Sequence, residues 1–530
     1  MLSPRTQAVS LPIKLVLLAM VAVLYGAFRQ QIFTIDSLYY LWDAEVAGWR
    51  ALLHPHHLLL EPIFRIWLNL WRWFAYSGKA IAPFQVFNML VTLGSLALFL
   101  QLLQVMIKDR KATIIGFWLM AAMYLPWYHA TQAEGVPLFA IFAMANLLWA
   151  AALPQASDQQ RPGIGAAMWL AATITGGILI HQSLVLWSPL LAWMLGREAA
   201  PGHRLRTGIL CLGTAGAATL AIYVIMGAWA TGGLVPHDLW LWFTGYSREF
   251  AQKCGSLSYL FSAQVPRGLG SAILTGTPLK AYAFGGKPAD LGLLLRMIPI
   301  ILTGLLLAGG LLGVPQALGR LDRNRRQALI NIALLTALGF LFAGWWEPSN
   351  RKFWTPVLPG IVVLAMLGWT SLRSTRISRL VFIMSVITIV VMLGFNLVGG
   401  ILPRHREADA VQPMLQFLAR PVQEQDTVII HEDRVWQCIN YFKPSPQVFG
   451  IPGAISDRDD PEHTVWWASV AAARQSLQDG HVLYITASIW PDLQEVLELE
   501  MGPLPDPSEV LVYGDADLGE PKQILLSVQY

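Results

Sequence analysis

The chain has 530 residues, 55% of them hydrophobic and only 13% charged, with a mean hydropathy of +0.49. Average soluble domains carry about 25% charged residues, so a wholly soluble globular protein is excluded. The net charge of +4 hides a division: residues 404–530 hold eight Lys/Arg and twenty Asp/Glu, net −12, leaving residues 1–403 with 29 basic and 13 acidic groups, net +16.

A helix that crosses lipid needs about 20 apolar residues, because lipid offers its backbone no hydrogen-bond partners. Eleven runs qualify as spans: 11–28, 84–106, 113–127, 136–153, 164–180, 183–196, 207–226, 291–312, 328–344, 354–371 and 380–402. With Arg5 and Lys14 on the cytoplasmic side, every alternate loop is basic: Lys108/Arg110/Lys111, Arg161, Arg197/Arg204/Arg206, Arg320/Arg323/Arg325/Arg326 and Arg373/Arg376/Arg379. Retained Lys and Arg set orientation, so the N-terminus is expected in the cytoplasm and the acidic tail outside. This excess in short loops reads as a topology signal, not as a nucleic-acid surface. No small-x-small cleavage site follows the first run, which is read as a retained anchor.

The expected external loops are 29–83, 127–135 and 227–290. Within the first, Leu58–Phe74 carries Glu61, Arg65 and Arg72 beside Trp67, Trp71 and Trp73, a mixture that suits an interfacial helix at the headgroups. The last holds Trp240, Trp242, Phe243, Tyr259 and Phe261 among scattered charges and is expected along the membrane surface. After Pro403 the apolar runs shorten to strand length, at 427–430, 482–488, 510–513 and 524–528, with helical patterns at 465–479 and 492–501 between them. The fold expected is a multi-pass α-helical membrane body, 1–403, followed by a small extracytoplasmic α/β domain, 404–530. Cys211 lies in an apolar run; a bridge between Cys254 and Cys438 is weakly supported.

Polar groups at the outer ends of spans carry the chemical information, since a charge near lipid is costly without a function or a partner. Asp36 follows the first span by about eight residues, where a carboxylate can take or orient the proton of an attacking hydroxyl or amine; capping of the next helix is the alternative. Asp43 reads as a solvated face or a salt-bridge partner. His54, His56 and His57 follow; imidazoles are common ligands of a divalent cation, but the spacing is not that of a closed site. With Pro55 between them the adjacent His56 and His57 are expected to diverge, and substrate hydrogen bonding or capping ranks ahead of a metal.

Glu134 opens the span that follows the second external loop, where the helix macrodipole favours a carboxylate. His181-Gln182 is read as a polar turn between two spans, with site membership as the alternative. The outer turn Glu347-Pro348-Ser349-Asn350-Arg351-Lys352 breaks the basic-inside rule, so Arg351 and Lys352 are candidates for a lipid phosphate, with Glu347 beside them; interfacial anchoring is the rival reading. Arg248, Lys253 and Arg267 are weaker candidates for the same task.

This series resembles the C-type glycosyltransferase fold, GT-C: an acid just after the first span (Asp36), a His-Pro element leading an interfacial helix (His54-Pro55 to Phe74), a basic cytoplasmic turn (Lys108 to Lys111) and a second external acid (Glu134). Protein mannosyltransferases and bacterial aminoarabinose transferases share that layout. The resemblance implies inverting transfer of a hexosyl or pentosyl group from a polyprenyl-phosphate donor at the outer face of a bacterial inner membrane. Asp36 would be catalytic and Glu134 would support it, with a glycan, lipid or protein as acceptor. The chain departs from the mannosyltransferase pattern, with Asp36-Ser37 in place of paired acids and His56 in place of a second proline, so sugar and acceptor do not carry over. A transporter or flippase is the alternative; scarce mid-span charges and no two-half repeat speak against it. A scaffold with an acidic recruiting domain leaves Asp36, Glu134, Arg351 and Lys352 unexplained.

Overall fold

The computed structural model describes residues 9–30, 35–155, 161–251, 255–275, 291–371, 375–402, 405, 427–430, 447–450, 464–486, 490–501, 503–513 and 523–528. Cys254 and Cys438 lie outside them, as do Lys253 and Arg373. The chain divides into two compact units, Met1–Arg29 with Asp43–Leu402, and Gln30–Trp42 with Pro403–Tyr530.

The first unit is helical: α1 (Leu11–Ala27), the end of α2 (Ile35–Val46), α3 (Leu60–Trp73), α4 (Ile81–Met106), α5 (Arg110–Ala122), α6 (Tyr124–Ala130), α7 (Val136–Ala152), α8 (Ile164–Ile180), α9 (Ser188–Glu198), α10 (Arg204–Thr231), α11 (Pro236–Ala251), α12 (Gln264–Ile273), α13 (Leu291–Leu312), α14 (Val314–Arg320), α15 (Arg323–Trp346), α16 (Leu358–Ser371) and α17 (Thr375–Asn396). Among the described residues six helices are long and apolar enough to cross a membrane: Ile81–Met106, Val136–Gln155, Pro201–Thr231, Met297–Arg320, Arg323–Trp346 and Arg379–Ile401. Leu11–Ala27, Ile164–Ile180 and Leu358–Ser371 are shorter apolar helices.

Two of the eleven expected runs fold as broken helices, and proline explains both. Pro126 has no N–H and its ring clashes with the carbonyl four residues back, so the run at 113–127 breaks at Met123, whose backbone is extended. The break frees the carbonyls of Ala121 and Ala122, which accept from Tyr25 Oη at 2.7 Å and Asn396 Nδ2 at 2.9 Å. Asn396 also donates to Ile273 and accepts from the Thr275 amide, so one buried side chain ties three segments together. The run at 183–196 starts its α-helix only at Ser188, with Pro189 in the first turn, where a missing N–H costs nothing; a 3-10 turn, Gln182–Trp187, precedes it.

Close helix contacts rest on glycine. A side chain at Gly310 or Gly368 would collide with the backbone of the facing helix, so α13 and α16 approach as only small residues allow. Helix α3 is amphipathic: Leu60, Phe64 and Leu68 are buried, while Ile66, Leu70, Trp73 and Phe74 are exposed, the arrangement expected of an interfacial helix. The stretch 227–290 is more helical than expected, because α10 continues to Thr231 before α11 and α12 follow.

The second unit contains a five-stranded sheet of β1 (Thr427–Ile430), β2 (Gln447–Gly450), β3 (Leu483–Thr486), β4 (Ser508–Tyr513) and β5 (Gln523–Val528), in the order β2-β1-β3-β5-β4. β1 pairs in parallel with β2 and β3; β5 is antiparallel to β3 and β4. Helices α18 (Thr464–Gln478) and α19 (Trp490–Met501) supply Val470, Ala473, Leu477, Trp490, Leu493 and Leu497 to a core with Ile429, Leu483, Ile485, Leu526 and Val528.

Candidate functional site

The His54-Pro55 element is fixed from several sides. His54 caps the 3-10 turn Pro55–His57, its Nδ1 accepting from the His56 amide at 3.4 Å. The Pro55 carbonyl accepts from Gln182 Nε2 at 2.9 Å and from the Tyr223 hydroxyl at 2.8 Å, and the Leu53 carbonyl from Trp242 Nε1 at 3.0 Å. The turn therefore gathers its histidines: ring centroids lie 5.7 Å apart for His54 and His56, 6.3 Å for His54 and His57, and 6.2 Å for His56 and His57. The divergence expected of adjacent rings does not separate them, because a tight turn rather than an extended segment carries them.

His181, read from the sequence as a polar turn, joins this cluster with its ring 5.3 Å from that of His57. Its Nδ1 accepts from the Ser183 amide at 3.3 Å and lies 2.7 Å from Ser183 Oγ; Phe139 packs on it at 4.6 Å and Phe353 at 5.8 Å. Among the described residues no group of three or more His, Cys, Asp or Glu is arranged to hold a metal ion.

Lys352 faces this cluster. Burial depresses His56 to about 4, and the neighbouring His54 and the Lys352 ammonium add to the shift. Burial and then Lys352 bring His181 down to about 3. His57 is held well below its ordinary value by burial, by His181 and by Lys352, against a hydrogen bond to the Ile180 carbonyl that raises it. Burial alone lowers His54. At neutral pH burial thus holds these four imidazoles uncharged.

The turn that presents Lys352 is built by its neighbours. Asn350 accepts from the Lys352 amide at 3.2 Å and donates to Glu347 Oε2 at 3.1 Å, so Glu347 braces the turn. Trp354, fully buried, donates to the Pro348 carbonyl at 3.0 Å, and Gly268 of α12 sits against both, where any side chain would collide. Arg351, paired with Lys352 in the sequence reading, is placed differently: its guanidinium lies 5.1 Å from the Tyr124 ring and 5.2 Å from the Tyr128 ring. Arg248 belongs to α11, and its side chain lies outside the described residues. Arg267 is exposed on α12.

Glu134 is buried in the loop before α7, its Oε2 2.9 Å from Nδ1 of the equally buried His129, a close approach without hydrogen-bond alignment. Gln85 and Asn88 of α4 hold that loop by donating to the carbonyls of Thr131, Gln132 and Glu134 at 2.7–2.9 Å. Asp36 is the second residue of α2, inside the helix rather than at its cap, and its side chain lies outside the described residues.

A pair that the sequence reading passed over lies where α2 meets α3. Burial raises Glu61 to about 8, helped by Asp43, and raises Asp43 to about 6 against the lowering effect of Arg65. Arg65 donates to the backbone carbonyls of Asp43 and Ala47 at 2.8 and 2.5 Å, closing the end of α2. Asp43 is partly buried, not a solvated face. The available signal was Glu61 itself, a carboxylate in the first turn of an otherwise apolar helix face.

No family model and no curated protein matches this chain. Solved structures do. ArnT from Cupriavidus metallidurans bound to undecaprenyl phosphate superposes with a TM-score of 0.60 at 12% identity, over 97% of each chain. The Archaeoglobus fulgidus oligosaccharyltransferase in complex with Zn and sulfate gives 0.52 at 12% identity, over 96% of this chain and 72% of its own. The same organism's AglB with an inhibitory peptide and a dolichol-phosphate gives 0.50 at 11% identity, over 90% and 69%. The chain has the GT-C fold. Its long apolar helices make it a membrane protein. At these identities the likeness fixes the architecture of the backbone alone.

Proposed function

We propose that the protein is a glycosyltransferase that moves a sugar from a polyprenyl-phosphate donor to a glycan, lipid or protein acceptor at the outer face of a bacterial inner membrane. The observation that carries this reading is the convergence of Lys352 with His54, His56, His57 and His181, a site of hydrogen-bond donors and positive charge. Such a site suits an anion. The GT-C neighbours bound to undecaprenyl phosphate and dolichol-phosphate supply the anion's class.

In this reading the acceptor oxygen attacks the anomeric carbon, the bond from that carbon to the phosphate oxygen breaks with inversion, and Asp36 takes the acceptor's proton. The phosphate is already a good leaving group. Lys352 stabilises the charge that grows on it, which is where electrostatic assistance lowers a barrier most effectively. Glu134, held by His129 and α4, supports the loop on the acceptor side. Orientation follows the basic loops: N-terminus in the cytoplasm, residues 404–530 outside.

The test is incubation of the purified chain with labelled polyprenyl-phosphate sugars and a membrane extract, with and without chelator. Label passing to a new product supports transfer and shows whether a divalent cation is needed. Label moving across a reconstituted bilayer without a new covalent product would replace this reading by transport.

A further inference from the structure

Within the helical unit, α4, α5, α6, α7 and the start of α16 border a cavity of about 40 Å³. Its wall is largely apolar, with Met120 and Met144 on it, but His129 and Thr355 line it as well. Both are more than nine-tenths buried, and among the described residues neither His129 Nε2 nor Thr355 Oγ1 has a hydrogen-bond partner. Buried polar groups in folded proteins are nearly always paired, with protein or with ordered water. Two such atoms on the wall of one small cavity indicate what it holds.

The ring of His129 has its Nδ1 edge against Glu134, whose Oε2 lies 2.9 Å away, so Nε2 on the far edge is the nitrogen left for the cavity. A neutral ring that turns Nδ1–H towards the carboxylate needs a donor at Nε2, and a charged ring needs an acceptor there. Water can be either, and it serves the Thr355 hydroxyl at the same time. Size agrees with this chemistry. One water needs about 10–15 Å³, so there is room for about two or three, whereas an engineered cavity that takes up benzene measures about 150 Å³. A sugar ring or an isoprene unit is therefore too large. Ordering a water costs entropy, but leaving two buried groups unpaired forfeits the hydration of both, which is the larger loss.

We propose that this cavity is a water site, in which ordered water bridges His129 Nε2 to Thr355 Oγ1 and so joins the Glu134 loop to the turn that carries Lys352. Thr355 belongs to that turn, its amide donating to the Lys352 carbonyl at 3.2 Å. The consequence is positional. His129 touches the carboxylate of one loop, Thr355 closes the turn of the other, and the water fixes the two against each other where no direct hydrogen bond joins them. His129 and Thr355 are thus positioning residues that act through Glu134 and Lys352, whichever substrate those two serve.

The bridge stands apart from the sugar-transfer reading and is tested without substrate. Microsecond X-ray radiolysis of the full detergent-solubilised chain, read by mass spectrometry, oxidises side chains that touch water, including buried ones beside an ordered molecule. Met120 and Met144, 5% and 2% exposed, should be oxidised several-fold faster than Met194 and Met392, which are fully buried away from the cavity. Thr355→Val keeps the volume and removes the hydroxyl, so it should bring both rates down towards those controls, and Thr355→Ser should keep them up. Backbone hydrogen exchange reads the link: the amides of residues 131–135 should exchange several-fold faster in Thr355→Val and at the parent rate in Thr355→Ser. The rates in the unsubstituted chain decide the presence of water even where a variant does not fold. Met120 and Met144 oxidised no faster than the controls would mean a dry cavity and overturn the proposal. It is equally overturned if Thr355→Val leaves their oxidation unchanged, or lowers it while residues 131–135 exchange at the parent rate.

Discussion

His129 and Glu134 meet at 2.9 Å in the loop that leads into α7, each side chain less than a tenth exposed. Removing one partner of such a buried pair costs more than the pair contributes, because the group left behind has already lost its water. His129→Ala is therefore expected to destabilise the protein by about 3 kcal/mol. Thermal unfolding in detergent should show a clearly lowered midpoint, and an unchanged midpoint would show that Glu134 is buried uncharged and indifferent to its neighbour.

Asn396 offers a second structural test. Its amide satisfies the Ala122 carbonyl that Pro126 strands, together with the Ile273 carbonyl and the Thr275 amide. Asn396→Ala leaves three buried backbone groups without that partner, at about 1–3 kcal/mol for each that finds no other. Loss of expression or a midpoint depressed further than in His129→Ala is the expected result; a wild-type midpoint would mean that water replaces the side chain.

Arg351 and Lys352 are neighbours in sequence with different surroundings, and substitution should separate them. Arg351→Ala loses contact with the rings of Tyr124 and Tyr128, worth about 1 kcal/mol of stability. Lys352→Ala should raise KM for the donor while leaving KM for the acceptor near its original value. Equal effects on both substrates would argue that the ammonium does not touch the donor phosphate.

The contrast between those two cations shows where sequence was sufficient and where it was not. Apolar runs of strand length made Thr427–Ile430 and three further strands legible, whereas Gln447–Gly450, a four-residue strand following prolines at 444 and 446, carried too little pattern. Apolar length located the helices, but the breaks at Met123 and before Ser188 depend on single prolines inside runs that hydropathy treats as continuous. In the candidate site, the His-Pro element and Lys352 stood out by type and place. His181 did not, since its link to His57 is a contact across more than a hundred residues that no local spacing encodes. Glu61 and Asp43 were visible as charges, and only packing revealed that burial, rather than pairing, governs them.

Asp36 carries the chemical step in the proposed mechanism. Asp36→Asn keeps the shape of the side chain and removes its ability to take a proton, so turnover should fall by about 100-fold or more with no change in the unfolding midpoint. Near-normal turnover would remove Asp36 from the mechanism and direct attention to the other carboxylates of the outer loops.

Glu61 provides a pH dependence of stability with a definite sign. Its carboxyl is raised from 4.5 to about 8 in the folded protein, so between those values the folded state holds a proton that the unfolded state has released. Stability therefore falls as pH climbs through that window, and Asp43, raised to about 6, adds to the fall in its lower part. The two carboxyls interact, so the observable is one broadened titration of the pair. Glu61→Gln keeps the neutral form at every pH and should flatten the decline, leaving the variant more stable than the parent near pH 8 by a few kcal/mol at most. Unfolding midpoints measured from pH 5 to pH 9 decide it: a parent that gains stability towards alkaline pH, or a variant with an undiminished slope, would mean that Glu61 is ionised in the folded protein.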